Sequence, residues 1–257
     1  MAAIKTDREI ALMRVAGKIL AKTFQALVPL VRPGASGVAL DAHARMLIKQ
    51  WGGHPAFLGY KPYGAARPFP AALCVSINDV VVHGVPTNRP FAEGDLIKLD
   101  LGVRVGGYYA DAALTVPVGR VSADAERLLN ATKQALERGM RAARAGNTLG
   151  DIGYAISSVA KRHRVKVVEG LTGHGIGSEL HEDPAVLNEG SPHTGLTLAA
   201  GMALAIEPMF SLGSKRIVQQ DDDGYTTSDR AMSAHFEHTV LITDGAPEVL
   251  TVLYYYA

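Results

Sequence analysis

The chain has 257 residues, of which 47% are hydrophobic and 20% charged, and its formal net charge is +1 at pH 7. That length can bury a large core, in one domain or in two closely packed halves. The near-neutral charge provides no basic surface for nucleic acid or for an anionic membrane. Cys74 is the only cysteine, which excludes a disulfide framework and a thiolate zinc site and suits a reducing compartment.

The N-terminal residues MAAIKTDREIALMR carry charges where a signal peptide needs an apolar stretch. No apolar run reaches the roughly 18 residues that indicate a transmembrane helix. We therefore expect a globular protein of the cytoplasm, with no membrane contact and no nucleic-acid partner.

The first part of the chain predicts two helices followed by strands. Thr6 and Glu9 form a capping-box pattern, and apolar residues then recur every three or four positions until about Pro29. A second amphipathic pattern predicts a helix from about Gly37 to Trp51. Three strand-like segments follow, separated by Gly and Pro: AALCVSIND, DLIKLDLGVRV and YYADAALTV.

The same order of elements then begins again. Ser122 is a candidate N-cap for a helix through Met140, and Thr148 with Asp151 opens another through about His163. Strand-like runs return at 202–210, 235–242 and 248–253. This repetition predicts an α+β architecture of two pseudo-symmetric helix–helix–strand halves around a central antiparallel sheet, with the helices outside. No linker separates the halves, so we expect a single domain over residues 1–257.

Carboxylates interrupt apolar strand sequences at four places. Asp100 stands in LIKLDLGV, Asp111 in YYADAALTV, Glu207 at the end of LAAGMALAIEP, and Glu237 in SAHFEHTVLIT. Asp is depleted in strands, and burial of an unpaired carboxylate is costly. A single acid at a strand end is often solvated, but four of them together favour an oxygen-lined cation site.

The hairpin between the first two acids has Gly106 and Gly107 at its turn. If the chain folds back about Val105 and Gly106, Asp100 lies directly opposite Asp111, with Cβ atoms roughly 5 Å apart. Two like charges at that distance require a cation between them. The alternative is one exposed Asp on an edge strand beside an Asp in a loop.

The segment GHGIGSELHEDP, residues 173–184, places His174 and His181 in a stretch too rich in glycine for a helix. Hard carboxylate ligands with one imidazole suit Mn, Fe(II), Co or Zn in a catalytic two-metal site. One histidine should then bind metal while the other serves substrate and proton transfer. The residues alone do not assign these two roles.

Several longer motifs resemble those of type I methionine aminopeptidases, which belong to the pita-bread metallopeptidases. They are SINDVVVHGVP, EGDLIKLDLG with the next Asp eleven residues on, GHGIGSELHEDP, GMALAIEPM and DRAMSAHFEHT. The resemblance covers essentially the whole chain. It implies the pita-bread fold and five metal ligands for two divalent ions (Co, Mn, Fe(II), Zn or Ni): Asp100, Asp111, His174, Glu207 and Glu237. Asp111 and Glu237 would bridge both ions.

The resemblance also implies substrate-binding and catalytic residues. His83 and His181 correspond to two substrate-contacting histidines, and Glu207 would transfer protons while remaining a ligand. The pocket for the methionine side chain would include Tyr60, Tyr63 and Cys74. One monovalent cation is expected on the backbone near Asn78, Val80 and Ser233.

The implied activity is removal of the initiator methionine from nascent proteins and peptides with a small second residue. Its partners would be nascent N-termini, met at the ribosome. No large apolar helix face remains for an obligate oligomer, so we expect a monomer. The alternatives are an Xaa-Pro aminopeptidase or dipeptidase of the same fold, or a catalytically inactive binding protein.

The sequence departs from the family pattern at Phe57, Leu180, Tyr225 and His235, and about six extra residues stand in 64–70. None of these positions is an expected ligand, but they leave the fine selectivity of the pocket open. His235 shares a strand face with Glu237 and is a candidate neighbour of the metal site, whereas His238 should point to the opposite face.

Overall fold

The computed structural model describes residues 3–61 and 67–252. The helices in these ranges are α1 (Asp7–Leu27), a 3-10 turn (Val28–Leu30), α2 (Gly37–Gln50), α3 (Ala123–Ala142) and α4 (Leu149–His163). None of these helices combines the length and apolar composition that a membrane span requires.

The strands are short except for one long hairpin. In chain order they are β1 (His54–Pro55), β2 (Leu73–Ile77), β3 (Val80–Val82), β4 (Leu96–Val105), β5 (Tyr108–Pro117), β6 (Lys166–Val167), β7 (Gly173–Gly175), β8 (Glu182–Val186), β9 (Ala203–Ile206), β10 (Met209–Ser211), β11 (Ile217–Gln219), β12 (Tyr225–Thr227), β13 (Ser233–His235), β14 (His238–Leu241) and β15 (Glu248–Val249).

These strands form four antiparallel sheets. The first has the order β1-β4-β2, with β5 also paired to β4, and belongs to the first half of the chain. The five-stranded sheet of the second half has the order β15-β14-β9-β7-β8. Two smaller sheets, β13-β10-β6 and β11-β12-β3, complete the set. The predicted α+β class with antiparallel sheets is confirmed.

The helices begin where local sequence predicts. Thr6 Oγ1 accepts a hydrogen bond from the Glu9 amide, and the Thr6 amide donates to the Glu9 carboxylate. Thr148 and Asp151 form the same reciprocal capping box at the start of α4. Each cap satisfies backbone N–H groups that have no partner inside the helix.

The two halves cover their sheets in the same way. Helix α1 packs on β4 and β5, and α2 packs on α1 and β2. Helix α3 packs on α4 and on β9, β10 and β13. Fully buried Leu20 and Phe24 of α1 and Leu128 of α3 belong to one apolar cluster that also contains residues of both large sheets. The helices therefore lie outside, with the strands between them.

The hairpin register differs from the predicted one by two residues. Asp100 lies opposite Ala113, and Asp111 lies opposite Gly102. The turn consists of Gly106 and Gly107, which have positive φ angles of 57° and 90°, as a two-residue turn of this kind requires. A shift of two residues keeps each side chain on its face of the sheet. The two carboxylates are therefore diagonal neighbours on one face, not a directly opposed pair.

The two halves meet along β5 through contacts that we call the seam. At its centre, Glu237 and Ala113 exchange backbone hydrogen bonds of 2.8 and 3.4 Å. On one side the Thr239 hydroxyl accepts from the Asp111 amide and donates to its carbonyl, both at 2.8 Å. On the other side the Thr115 hydroxyl makes the equivalent pair with the His235 backbone. Threonine hydroxyls thus extend the antiparallel pairing beyond the backbone bonds.

Because of these seam contacts, we expect that removal of one threonine hydroxyl strongly lowers the stability of the fold. Thr239→Val should lower the free energy of unfolding by about 2–4 kcal/mol, because it leaves a buried N–H and a buried C=O of Asp111 without partners. Thr23→Val is the matched control, since buried Thr23 donates only to a carbonyl within α1. Urea unfolding measures both variants. Equal losses for the two variants would contradict this role of the seam.

Candidate metal and catalytic site

A cavity of about 340 Å³ opens beside the seam. Its inner wall carries the five expected metal ligands: Asp100, Asp111, His174, Glu207 and Glu237. His83 and His181 also line it, together with Tyr60 and Cys74. Tyr63, the remaining residue expected at this site, lies outside the described residues.

Strands or strand ends from both halves position the five ligand candidates. Asp100 lies in β4 and Asp111 in β5, while His174 lies in β7. Glu207 directly follows β9, and Glu237 directly precedes β14. Asp111 and Glu237 are held by the seam, since each belongs to a residue pair that bonds across it. The four carboxylates and the imidazole therefore converge from parts of the chain more than 100 residues apart.

The ligand atoms form two overlapping groups. In one, atoms of Asp111, His174 and Glu237 all lie within 4.8 Å of one another. In the other, the same limit holds for Glu207, His235 and Glu237. Glu237 belongs to both groups, as the expected bridging ligand should.

Unpaired polar atoms support a cation at this position. Among the described residues, buried side-chain atoms without a hydrogen-bond partner include Asp100 Oδ1, Asp111 Oδ1, Glu237 Oε1 and His235 Nε2. Buried polar atoms are normally paired in native proteins; the three carboxylates line the cavity, and His235 Nε2 lies 3.9 Å from Glu237 Oε2. Lone pairs on hard oxygen and imidazole nitrogen are the donors that divalent metal ions bind. The residues therefore fit a divalent metal site.

Burial sets the protonation of the carboxyl groups when no cation neutralises them. It raises the pKa of Asp100 and of Glu207 to about 7. The pKa of Asp111 and that of Glu237 rise well above the usual range, first through burial and then through the neighbouring carboxylates. Without a cation, the site therefore retains protons at neutral pH.

The structure assigns different surroundings to the two histidines of residues 173–184. His174 Nδ1 lies 2.8 Å from the Gly175 carbonyl and so carries the proton. His174 Nε2 faces Glu207 Oε1 at 3.5 Å, and burial lowers the pKa of the ring, which is then neutral. The unprotonated Nε2 therefore presents its lone pair among the carboxylates.

His181 packs against His174. The two ring centroids are 4.4 Å apart in an edge-on arrangement, and His181 Nδ1 is 2.7 Å from Tyr60 Oη. Burial, and then the proximity of His83, lowers the pKa of His181 to about 4. No carboxylate contacts this ring within the described residues, so it stays neutral and available to substrate.

His83 lines the cavity from the loop after β3. Its backbone has a positive φ of 59°, a conformation uncommon for non-glycine residues and frequent at functional sites. Burial, and then His235, lowers the pKa of His83 to about 4. Its ring packs edge-on against Tyr225 at 5.8 Å. Tyr225 is one of the positions where the sequence departs from the family pattern.

Apolar side chains also line the cavity, and some adjoin the carboxylates, since Cys74 lies directly opposite Asp100 in the pairing of β2 with β4. Phe57, Cys74 and Leu180 are buried in one cluster, against which Tyr60 and Phe69 pack. Burial, and then the nearby Asp100, raises the pKa of Cys74 well above its usual range. The thiol therefore stays protonated and lines the pocket, as predicted, and is not a nucleophile.

The expectation of a monovalent-cation site is corrected, because the Lys98 side chain lies at the expected position. Its amino group donates to the Asn78 carbonyl at 2.6 Å and to the Ser233 carbonyl and hydroxyl at 3.2 Å each. The Ser233 hydroxyl in turn reaches the Val80 carbonyl at 3.3 Å. Burial lowers the pKa of Lys98 to about 7, and in either protonation state its amino group donates to the oxygens expected to hold a bound ion. A bound cation there would compete for the same lone pairs.

Two residues of the site were not identified as such from the sequence. Lys98, only 1% exposed, interrupts the same apolar strand as Asp100 and could have been found by the same burial argument. His235 was expected only as a neighbour of the metal site, yet its ring nitrogen lies among the ligand atoms. The sequence feature that could have identified His235 is its position two residues before Glu237.

Comparison with known proteins agrees with this geometry. Residues 11–244 match the model of metallopeptidase family M24, and the chain belongs to that family. It is 43% identical to a methionine aminopeptidase of Clostridium perfringens over 98% of this chain and 100% of the relative. A crystal structure of methionine aminopeptidase from Rickettsia prowazekii has a TM-score of 0.93 and 38% identity, covering 98% of this chain and 100% of that one.

A more distant structure shows the same fold. The prolidase from Pyrococcus furiosus has a TM-score of 0.76 and 23% identity, covering 97% of this chain and 65% of that one. At this identity the likeness concerns the fold alone. The predicted pita-bread fold is confirmed.

The raised carboxyl pKa values predict how pH affects the metal-free protein. In the unfolded chain these groups have pKa values of about 4, so between about pH 4 and pH 7 the folded state binds more protons. Stability of the metal-free protein should then fall as pH rises through this interval. Divalent ions bind the ionised carboxylates, so the rise in Tm caused by Mn²⁺ should be larger at pH 8 than at pH 5.5. Calorimetry with and without Mn²⁺ measures this, and equal shifts would contradict it.

Proposed function

We propose that this chain is a methionine aminopeptidase, which removes an N-terminal methionine by metal-assisted hydrolysis when the next residue is small. One observation carries the proposal: four buried carboxylates and His174 converge in a pocket that the apolar side chains of Phe57, Leu180 and Met209 also line. Similarity over the full length to a methionine aminopeptidase supports an N-terminal methionine as the substrate residue.

We assign Asp100, Asp111, His174, Glu207 and Glu237 as the ligands of two divalent ions. Asp111 and Glu237 would contact both ions, as the resemblance implies, and Glu237 belongs to both groups of ligand atoms. Such ions act as Lewis acids and lower the pKa of a bound water toward neutrality. Oxygen-rich ligands with imidazole are compatible with Co, Mn, Fe(II), Zn or Ni.

Glu207 transfers protons in this proposal. Its carboxylate lines the cavity beside the other proposed ligands, within reach of a water bound there, and is therefore placed to act as base and then as acid. Glu207 accepts a proton from the attacking water and returns it to the leaving amine. His174 lies on one side of its carboxylate and keeps it oriented.

His181 and His83 contact the substrate. Tyr60 Oη donates to His181 Nδ1, so the neutral ring carries its proton at Nε2. That N–H donates to the substrate at the scissile bond, where negative charge develops on the carbonyl oxygen. His83 contacts the substrate from the facing loop. Both rings are neutral because burial lowers their pKa values.

The apolar side chains of the pocket select the first residue of the substrate. Phe57, Tyr60 and Cys74 offer an apolar surface to an unbranched side chain and provide no partner for a charged one. We also assign Tyr63, which lies outside the described residues, to methionine binding, as the family resemblance implies. A large second residue would displace the scissile bond from the carboxylates, so it is excluded by geometry.

The natural substrates in this proposal are the N-termini of nascent polypeptides, met at the ribosome in the cytoplasm. The enzyme acts as a monomer, and its single catalytic domain spans the whole chain.

A peptide panel tests the proposed substrate. Metal-loaded protein should cleave Met-Gly and Met-Ala peptides rapidly and should leave Met-Leu and Met-Lys peptides intact. Leucine or norleucine at the first position should be cleaved slowly, because small changes in an apolar side chain discriminate by only about 1–3 kcal/mol. Chromatography of the products reads out the result. Preferential cleavage of Xaa-Pro peptides with other first residues would assign the chain to the prolidase type of activity.

Substitution of the two histidines tests their separate roles. His174→Ala should lose metal and activity together, because it removes a ligand. His181→Ala should keep its metal content and lose kcat by about 100-fold or more. Exposed His193 provides the control His193→Ala, which should change neither property. Elemental analysis with steady-state kinetics gives both readouts, and loss of metal in the His181 variant alone would reverse the assignment.

A further inference from the structure

His235 is a buried histidine whose ring has no hydrogen-bonded partner at Nε2. The residue is 1% exposed. A buried imidazole nitrogen without a partner is costly, because it loses its hydrogen bonds to water and gains none in exchange. The ring is therefore either a structural defect or a group that becomes paired when something binds beside it.

The position of the ring is tightly constrained. The His235 amide donates to the Thr115 hydroxyl at 2.9 Å, and the same hydroxyl donates to the His235 carbonyl at 2.7 Å. The residue also pairs with Met209 in the sheet formed by β13, β10 and β6. These bonds fix the backbone of His235 on both sides, and its ring is directed toward the carboxylates.

The atoms around Nε2 are oxygens of two proposed metal ligands. His235 Nε2 lies 3.4 Å from Glu207 Oε2 and 3.9 Å from Glu237 Oε2. Two atoms that bind the same ion at about 2.1 Å each are separated by about 3–4 Å. His174 Nε2 faces the other oxygen of Glu207, Oε1, so the two rings contact this carboxylate from different sides.

We propose that His235 is a sixth protein ligand, so that the metal centre contains two imidazoles and not one. His235 Nε2 binds a divalent ion together with Glu207 and Glu237. This inference rests on the proposed function, because it concerns the same metal centre. It goes beyond the five ligands that the resemblance implies.

A second imidazole changes which ions the site prefers. Imidazole nitrogen favours Zn, Fe(II), Co and Ni, whereas an all-oxygen environment favours Mn and Mg. Replacement of His235 by Gln retains a polar side chain but removes the ring nitrogen. His235→Gln should therefore weaken Zn²⁺ and Co²⁺ binding by about tenfold or more and Mn²⁺ binding by less.

The number of bound imidazoles can be counted directly. In protein loaded with two equivalents of Co²⁺, each coordinated histidine should give one paramagnetically shifted ring N–H resonance in the proton NMR spectrum. We expect two such resonances in the wild type, one in His235→Gln and two in His238→Gln. His238 is the matched control, because it is also buried but its Nδ1 bonds to Thr251. Equilibrium dialysis gives the metal affinities of the same samples.

The wild-type spectrum is decisive even if the variant does not fold. One resonance in wild-type protein that binds two Co²⁺ and cleaves a Met-Ala peptide would overturn the inference and leave the proposed function intact. Two resonances that persist in folded His235→Gln would also overturn it. Failure of the wild type to bind Co²⁺ at all would overturn both the inference and the proposed function.

Discussion

The structure depends on the way its two halves are joined along the seam. Three residues of β5 bond to three residues around β13 and β14, through one pair of backbone hydrogen bonds and two threonine hydroxyls. Asp111 and Glu237 both belong to this set. The contacts that hold the halves together are thus the contacts that place two shared carboxylates side by side.

Four ionised carboxylates buried together would have a large electrostatic cost, which bound protons or bound cations remove. Four carboxyl groups are buried around one cavity, and burial raises the pKa of each. In the absence of metal the site avoids the charge by retaining protons. Divalent ions neutralise the ionised groups directly. Stability and metal binding are consequently linked through the same side chains.

A buried amino group is used elsewhere near the site for a structural purpose. The Lys98 amino group donates to oxygens of Asn78 and Ser233, and so connects the loop before β3 with the strand that leads to His235 and Glu237. Lys98 lies two residues before Asp100 in β4 and therefore shares its face of the sheet. The protein thus fills this position from its own chain and requires the divalent ions from solution.

Much of this protein was determined by the sequence itself. Capping boxes at Thr6 and Thr148, apolar periodicity and the repeated order of elements predicted the helices, the long β4–β5 hairpin and the two-part architecture, because these signals depend on neighbours a few residues away. The four acids in apolar strands predicted the chemistry of the site, because the cost of burying them does not depend on the fold. Only the tertiary structure decided how these groups meet. The hairpin register depended on the backbone of two glycines at the turn, and the difference between His174 and His181 depended on contacts with Gly175 and Tyr60. Lys98 contacts a loop and a distant strand, and His235 lies among the ligand atoms. Both arrangements depend on long-range packing, which a local sequence pattern does not predict.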